Sequence, residues 1–405
     1  MARRPAQLTA AGRWSLRGSP AWNRSSRPPG GKRPAQAGRR APSAARGRRR
    51  GGSRRTSALA DRERVIAYRV AAHQFDRSAA HASDLRVFDL GVQDSEWSAV
   101  PVLAARLADV PDLSGDFTLT WTVRGAPHWH RASELPALAA RLWPLSDADA
   151  LARTDRRAGE DGLAVLRRVA TALREVVDRP MTAGEASSLL TPRVPGSVTA
   201  WCRACGATHV PDPVFRAAVL PAGLRCDPAG GAVTFVPLED RGPVPAESAG
   251  FGELITRYLR LHGPAGYAEV ARHFGAPVRD VKAAWPDDLV PVSRKAWLPA
   301  DRVAAFENPP EPELVRLLPP LDPYLDAPDR DLLVPDAAHR REVWRTPGRR
   351  GALLVDGDVL GTWTARAADG RLEIRTTPFV PLDVDMFAEE AAHLARTLDL
   401  PPHLT

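Results

Sequence analysis

Cysteine and lysine are scarce in this chain, and each scarcity narrows what it does. Three cysteines in 405 residues, an odd number, argue against a disulfide scaffold and for a reducing compartment. Lysine occurs only at Lys32, Lys282 and Lys295, and the bias toward arginine reads as GC-rich coding, not as guanidinium chemistry. No run of about 18 apolar residues is present, so no membrane span is expected. The N-terminus also lacks the apolar stretch of a secretory signal. Asp and Glu are absent from residues 1–57, which hold 16 Lys or Arg. The net charge of +8 therefore comes from one end, and residues 58–405 keep 40 basic against 48 acidic residues, a net −8. An acidic body binds nucleic acid only through a local cationic surface.

What is present is ordinary globular material, 44% hydrophobic and 26% charged, long enough for roughly two to four compact units. Residues 1–57 are Arg, Ala, Pro, Gly and Ser without apolar period, and are expected to be a disordered basic arm. Such an arm either touches phosphate or reflects a start codon placed too far upstream in a GC-rich gene; the second is the preferred reading, and composition alone separates them poorly. The missing acids would also fit a transit peptide, which nothing else supports.

Ordered pattern begins near Ser57. "DRERVIAYRVAAHQF" spaces Val65, Ile66, Tyr68, Val70 and Ala72 for a helix, and "SAVPVLAARL" predicts a second one. "FTLTWTVRGAPHWHRA" alternates Phe117, Leu119, Trp121 and Val123 at period two, turns at 124–127 and returns through Trp129, a hairpin. Two helical segments are expected within 135–180, around "RTDRRAGEDG". The grammar then repeats. Thr182 with Glu185 three residues on is a capping-box signature, followed by a short helix near 195–201, "VPDPVFRAAVL", and strands "LRC" and "AVTFVPL". In the third round, "GFGELITRYLRLHG", "GYAEVARHFGA" and "PVRDVKAAW" are helices, and "LVPVS" and "KAWLPA" a hairpin. Helices closed by a β-hairpin are the parts of a winged helix. From about 309 short strands take over, with Asp356-Gly357 and Asp369-Gly370 as hairpin turns, then a terminal helix. The expected class is α+β: winged-helix units at 58–180, 181–247 and 248–308, followed by a small β-barrel-like module at 309–405.

Four groups of residues carry chemistry. Gln93 and Asp94, side by side at a break between apolar runs, suit base excision, where an amide or carboxylate meets positive charge developing on a sugar. The competing reading is that Asp94 or Ser95 caps a helix starting near Glu96. Arg124, His128, His130 and Arg131 flank the hairpin turn, where a wing meets phosphate or the minor groove. Cys202, Cys205, His209 and Cys226 offer four zinc ligands, but only one CxxC pair is present, so small buried cysteines are preferred and no metal or other cofactor is expected. Trp97 and Trp129 adjoin the polar motifs and are candidates for stacking or wedging, whereas the other tryptophans read as core. Asp322-Pro323-Tyr324 reads as a turn and is given no chemistry.

Together Gly91-Val92-Gln93-Asp94, "WTVRGAPHWHR" at 121–131, "CRACGATHVPDPVFRAA" at 202–218, "YLRLHGPAGYAEVARHFGA" at 258–276, "LLPPLDPYL" at 317–325 and "VDGDVLGTW" at 355–363 resemble the winged-helix proteins related to AlkZ-type DNA glycosylases. Those enzymes excise alkylated bases and unhook interstrand crosslinks. The resemblance spans about 58–385. It implies three tandem winged helices and a β-barrel cradling duplex DNA; a monomer in the cytoplasm, at the nucleoid, is the expected state. It also implies a catalytic triplet, amide–aliphatic–amide or amide–aliphatic–carboxylate, that falls on Gly91-Val92-Gln93. Gln93 keeps the third position, Gly91 replaces the first amide, and Asp94 follows. Two readings stand on that triplet: a metal-independent glycosylase acting through Gln93 and Asp94, or a DNA-binding regulator or damage sensor without catalysis.

Overall fold

One helix, Gly51–Ala72, ties two parts of the molecule together. On one side Ile66 and Val70, with Phe75 just beyond the helix, pack against Leu325, Leu333 and Val334. On another, Tyr68 and Ala72 meet Leu298 and Phe306. The structure is a computed structural model and describes residues 51–94, 99–154, 161–228, 232–346 and 348–405. Most of the expected basic arm, residues 1–50, lies outside the described residues, while 51–57 form the first turns of this helix.

The first sheet holds β1 (Val92–Gln93), β2 (Phe117–Trp121) and β3 (Pro127–Arg131), antiparallel in the order β1-β3-β2. Its period-two residues Phe117, Leu119, Trp121 and Val123 are all buried, as is Trp129 opposite Leu119. Helices Leu135–Arg141, Asp147–Thr154 and Gly162–Val176 follow, three where two were expected. Pro144 separates the first two by removing a backbone donor. The helix after residues 95–98 is shorter than expected, Val100–Ala104, and its N-cap is Ala99.

The second round starts at β4 (Met181–Thr182). Thr182 caps the helix Ala183–Leu190 through an N–H···Oγ1 bond from Glu185 at 3.2 Å. Glu185 itself turns to Arg179. A helix near 195–201 is replaced by one 3-10 turn, Gly196–Val198, and β5 (Ala200–Cys202), consistent with β-preferring Val198, Thr199 and Trp201 after Pro195. β5 pairs with β6 (Ala207–His209). After the helix Asp212–Val219 come β7 (Leu224–Cys226) and β8 (Thr234–Pro237), in a sheet ordered β4-β8-β7.

The third round has the expected helices, Phe251–His262, Tyr267–Phe274 and Val278–Ala283, then the hairpin β9 (Leu289–Ser293) and β10 (Ala296–Pro299). Gly275, at φ 72°, stops the second helix and sends its N–H to Ala271, a left-handed cap that favours glycine. One apolar cluster extends from Ala82 to Leu289, so the three rounds share a core.

The last module is a five-stranded sheet of β11 (Val315–Leu318), β12 (Gly351–Val355), β13 (Asp358–Ala368), β14 (Arg371–Pro378) and β15 (Pro402–Leu404), paired in that order. Asp356-Gly357 and Asp369-Gly370 all have positive φ, the geometry of two-residue hairpin turns. β15 joins parallel to β14 and does not pair with β11. The sheet is thus curled and open, a half-barrel where a small β-barrel-like module was expected. Helix Ala388–Thr397 packs on it through Leu394 and Ala395. Among the described residues no helix is long and apolar enough to cross a membrane.

Candidate active site

β1 places its residues by strand alternation, with successive side chains on opposite faces. Val92 is buried opposite Trp129, and Gln93 is half-buried opposite His128. Gln93 lines a small pocket of about 20 Å³ together with Gly91, His128, His262, His273 and Asp326. That is room for one water. Asp94 turns elsewhere: its Oδ1 accepts the Trp129 indole N–H at 2.9 Å, and its own N–H bonds Pro127. It pins the end of β1 to β3. The expected cap, Asp94 or Ser95 on a helix starting near Glu96, falls on residues 95–98, which lie outside the described residues; the helix described after them starts at Val100 with Ala99 as its cap residue.

Gly91 has a physical reason to be glycine. Its φ is 90°, and a Cβ there would lie 2.3 Å from His130 Cε1. The His130 ring thus fills the space in which a side chain at position 91 would begin.

The hairpin residues behave differently from the phosphate contacts expected of them. His128 and His130 are buried, at 5% and 3% exposure, which withdraws both from direct phosphate contact. His128 Nδ1 donates to Ala126 O at 2.9 Å, since a carbonyl only accepts. Thr122 Oγ1 lies between the two rings, 3.0 Å from His128 Nδ1 and 3.1 Å from His130 Nε2. Arg131 is consumed by Asp89, Glu134 and the carbonyls of Ser83 and Leu85. Arg124, at φ 57°, donates to Asp326 at 2.7 Å and to His273 O. Trp129, only 6% exposed, is core and cannot serve as a wedge.

Arg124 instead belongs to a set that sequence reading missed. The loop "LDPYLDAPD" offers three carboxylates, and each is held by an arginine from a distant segment. Arg106 grips Asp322 through two bonds of 2.8 Å, both side chains fully buried. Arg69 grips Asp329 at 3.0 and 2.7 Å. Arg124 takes Asp326. Asp322 also caps the turn through the Tyr324 N–H. The loop is fixed from three sides, with Asp326 lining the pocket beside His273, whose Nδ1 is 3.6 Å away. Burial alone would raise the Asp326 carboxyl, but Arg124 and the adjacent His273 outweigh it and hold the group below its ordinary value. It is a carboxylate at neutral pH.

Burial pushes His128 and His273 down to about 4 and His130 and His262 well below their ordinary value. Three neutral imidazoles, His128, His262 and His273, therefore line the pocket at neutral pH, with His130 behind them. His262 Nδ1 and both ring nitrogens of His273 are buried without a hydrogen-bond partner. Unsatisfied buried polar atoms are uncommon and call for a cause. Here they line the same pocket as Gln93 and Asp326. The arrangement suits a polar guest: an amide, a carboxylate and open imidazole nitrogens around a water-sized space.

The four cysteine–histidine candidates separate into two places. Cys226 is buried, and burial raises its thiol to about 12. Cys205 is exposed and Cys202 half-exposed, so their presence is not explained by core packing. With His209 they form a cluster whose ligand atoms all lie within 4.8 Å of one another.

Comparison with known proteins identifies the family and the fold. The family model described as "DNA glycosylase AlkZ-like" matches residues 102–397. Among solved structures, the Streptomyces sahachiroi DNA glycosylase AlkZ aligns with a TM-score of 0.63 at 21% identity, covering 85% of this chain and 99% of that one. At that identity the likeness speaks for the fold. No curated protein matches the chain.

Proposed function

The chain belongs to the AlkZ-like DNA glycosylase family, and from that premise we propose that it hydrolyses the N-glycosidic bond of a damaged base in duplex DNA. The observation that carries the reading is the pocket itself, where Gln93, the ionised Asp326 and hydrogen-bond-deficient His262 and His273 converge. Departure of the base leaves an oxocarbenium-like sugar. A fixed carboxylate favours that positive charge, and an amide orients the attacking water. The electron pair of the broken bond leaves with the base, and the proton of the attacking water passes to the Asp326 carboxylate. Asp94 passes from a catalytic role to a positioning one, since its carboxylate is tied to Trp129.

In this reading the three rounds of helices and hairpins are winged-helix units holding the duplex, and the damaged nucleotide leaves the stack so that its sugar meets the mouth of the water-sized pocket. The supporting features are the third round's three helices followed by the β9–β10 hairpin. The phosphate-contacting role is reassigned. Arg168 and Arg193, together with Arg167, line a broad open groove, whereas Arg124 and Arg131 are engaged in ion pairs. The second reading, a DNA-binding regulator without catalysis, is favoured by one feature: His130 occupies the space that a side chain at position 91 would need.

Base release from alkylated and crosslinked duplexes by the purified chain separates the two. Wild type is expected to release base, and Gln93→Ala and Asp326→Asn to lower the single-turnover rate at least tenfold with duplex affinity unchanged. Tenfold corresponds to about 1.4 kcal/mol of transition-state stabilisation. Duplex binding with no release from any lesion would leave the regulator.

A further inference from the structure

The hairpin β5–β6 has no core of its own. From Ala200 to Thr208 every residue is exposed except Cys202, which is half-exposed, and Trp201 projects at 67% exposure. Only its ends are anchored, by buried Val198 and Val210. Two strands of three residues each are marginal in water without an apolar face or a cross-link.

We propose that Cys202, Cys205 and His209 form a zinc site that fastens this hairpin. Three observations converge on it. First, the two sulfurs and a His209 ring nitrogen lie within 4.8 Å of one another, a separation that small side-chain rotations close onto one ion. Second, the turn between the cysteines has the form of a metal knuckle. The Cys205 and Ala204 amides point at Cys202 Sγ, the Gly206 N–H bonds Cys202 O at 2.9 Å, and Gly206 takes φ 62°, which favours glycine. Third, His209 is already in the required tautomer. Its Nδ1 donates to Val210 O at 2.8 Å, leaving Nε2 as the lone-pair nitrogen, buried and turned toward the Cys202 thiol. A backbone carbonyl on the far nitrogen is the usual support of a metal-bound imidazole.

The donor set is two thiolates and an imidazole, which selects zinc over hard cations. Asp212 is held by Arg216 at 2.7 Å, so the fourth position is left to water. Binding releases the two thiol protons and leaves the metal's oxidation state unchanged.

The test uses the full chain, stripped with chelator and kept in a phosphine reductant so that Cys202 and Cys205 stay reduced. Cobalt(II) titration is expected to give one equivalent of a thiolate-to-cobalt charge-transfer band, abolished by one equivalent of zinc. Cys205→Ser and His209→Ala should each lose the band, and Cys226→Ser should keep it. Far-ultraviolet dichroism and melting of the metal-free variants should match metal-free wild type, which separates lost binding from lost folding. Absence of the band in wild type overturns the proposal, as does its survival in both Cys205→Ser and His209→Ala.

Discussion

Lowering pH from 7 to 4.5 should destabilise this protein by several kcal/mol, and the cause is specific. His128 and His273 are 5% and 8% exposed and are held down to about 4 by burial. In the unfolded chain each titrates near 6.5. Between those values the unfolded state binds the extra proton, so stability is fully present above about 6.5 and falls as pH drops toward 4. At pH 4.5 each histidine has lost roughly 2 to 3 kcal/mol relative to pH 7, about 5 kcal/mol for the two. His73, His130 and His262 are also held well below the ordinary value and act in the same direction. Against a total stability of about 5–15 kcal/mol, that loss reaches a third or more. Asp326, lowered by its neighbours, loses its contribution only as pH falls below the ordinary carboxylate value, so the window from 6.5 to 4.5 belongs to the histidines. Urea unfolding at pH 7.5, 6.5, 5.5 and 4.5 measures the curve. His273→Asn should remove about 2 kcal/mol of the drop between pH 7 and 4.5, whatever its stability at pH 7. A flat profile from 7.5 to 4.5 in wild type would refute the argument.

Two further outcomes follow from buried and exposed arginines. Asp322→Ala leaves Arg106 buried without its counter-ion and should cost about 3–5 kcal/mol in urea unfolding, whereas Arg106→Met with Asp322→Leu should recover most of that loss. Arg168→Ala with Arg193→Ala should weaken duplex binding for all sequences alike and lower the slope of log K against log salt by roughly 2, with melting unchanged; an unchanged slope places the phosphate contacts elsewhere.

Local pattern carried much of this fold. Thr182 capping its helix, Gly275 stopping another, the Asp-Gly turns at 356 and 369 and the alternation from Phe117 to Val123 each concern residues within a few positions of one another. Sequence reading is strongest at that range. It lost accuracy where tertiary context chose between propensities, as at 195–201, where β-preferring residues formed a strand in place of a helix. The site was half legible. Gln93 was visible as an amide at a break in apolar pattern, and it lines the pocket. Asp326 was not visible, because what distinguishes it is Arg124, 202 residues away. Arg106 with Asp322 and Arg69 with Asp329 are separated by 216 and 260 residues, and no local period marks such pairs. His128 and His130 misled for the opposite reason. A hairpin turn suggests exposure, yet both rings face inward.

Gly91 draws these strands together. Read as sequence, it is a lost amide in a triplet. In the structure it is a residue at φ 90° with an imidazole in its side-chain volume, so restoring a long side chain would require both backbone strain and the displacement of His130. The proposed chemistry therefore has to find its second polar group somewhere other than position 91. Asp94 is one residue out of phase on the strand and is bound to Trp129. The loop carboxylate Asp326 is the group that lines the pocket with Gln93, ionised, and held in place by an arginine from the turn that joins β2 to β3. Under the proposed reading the pairing of an amide on β1 with a carboxylate on the 321–329 loop replaces a pair on one strand. The geometry then depends on the three arginine clamps that fix that loop.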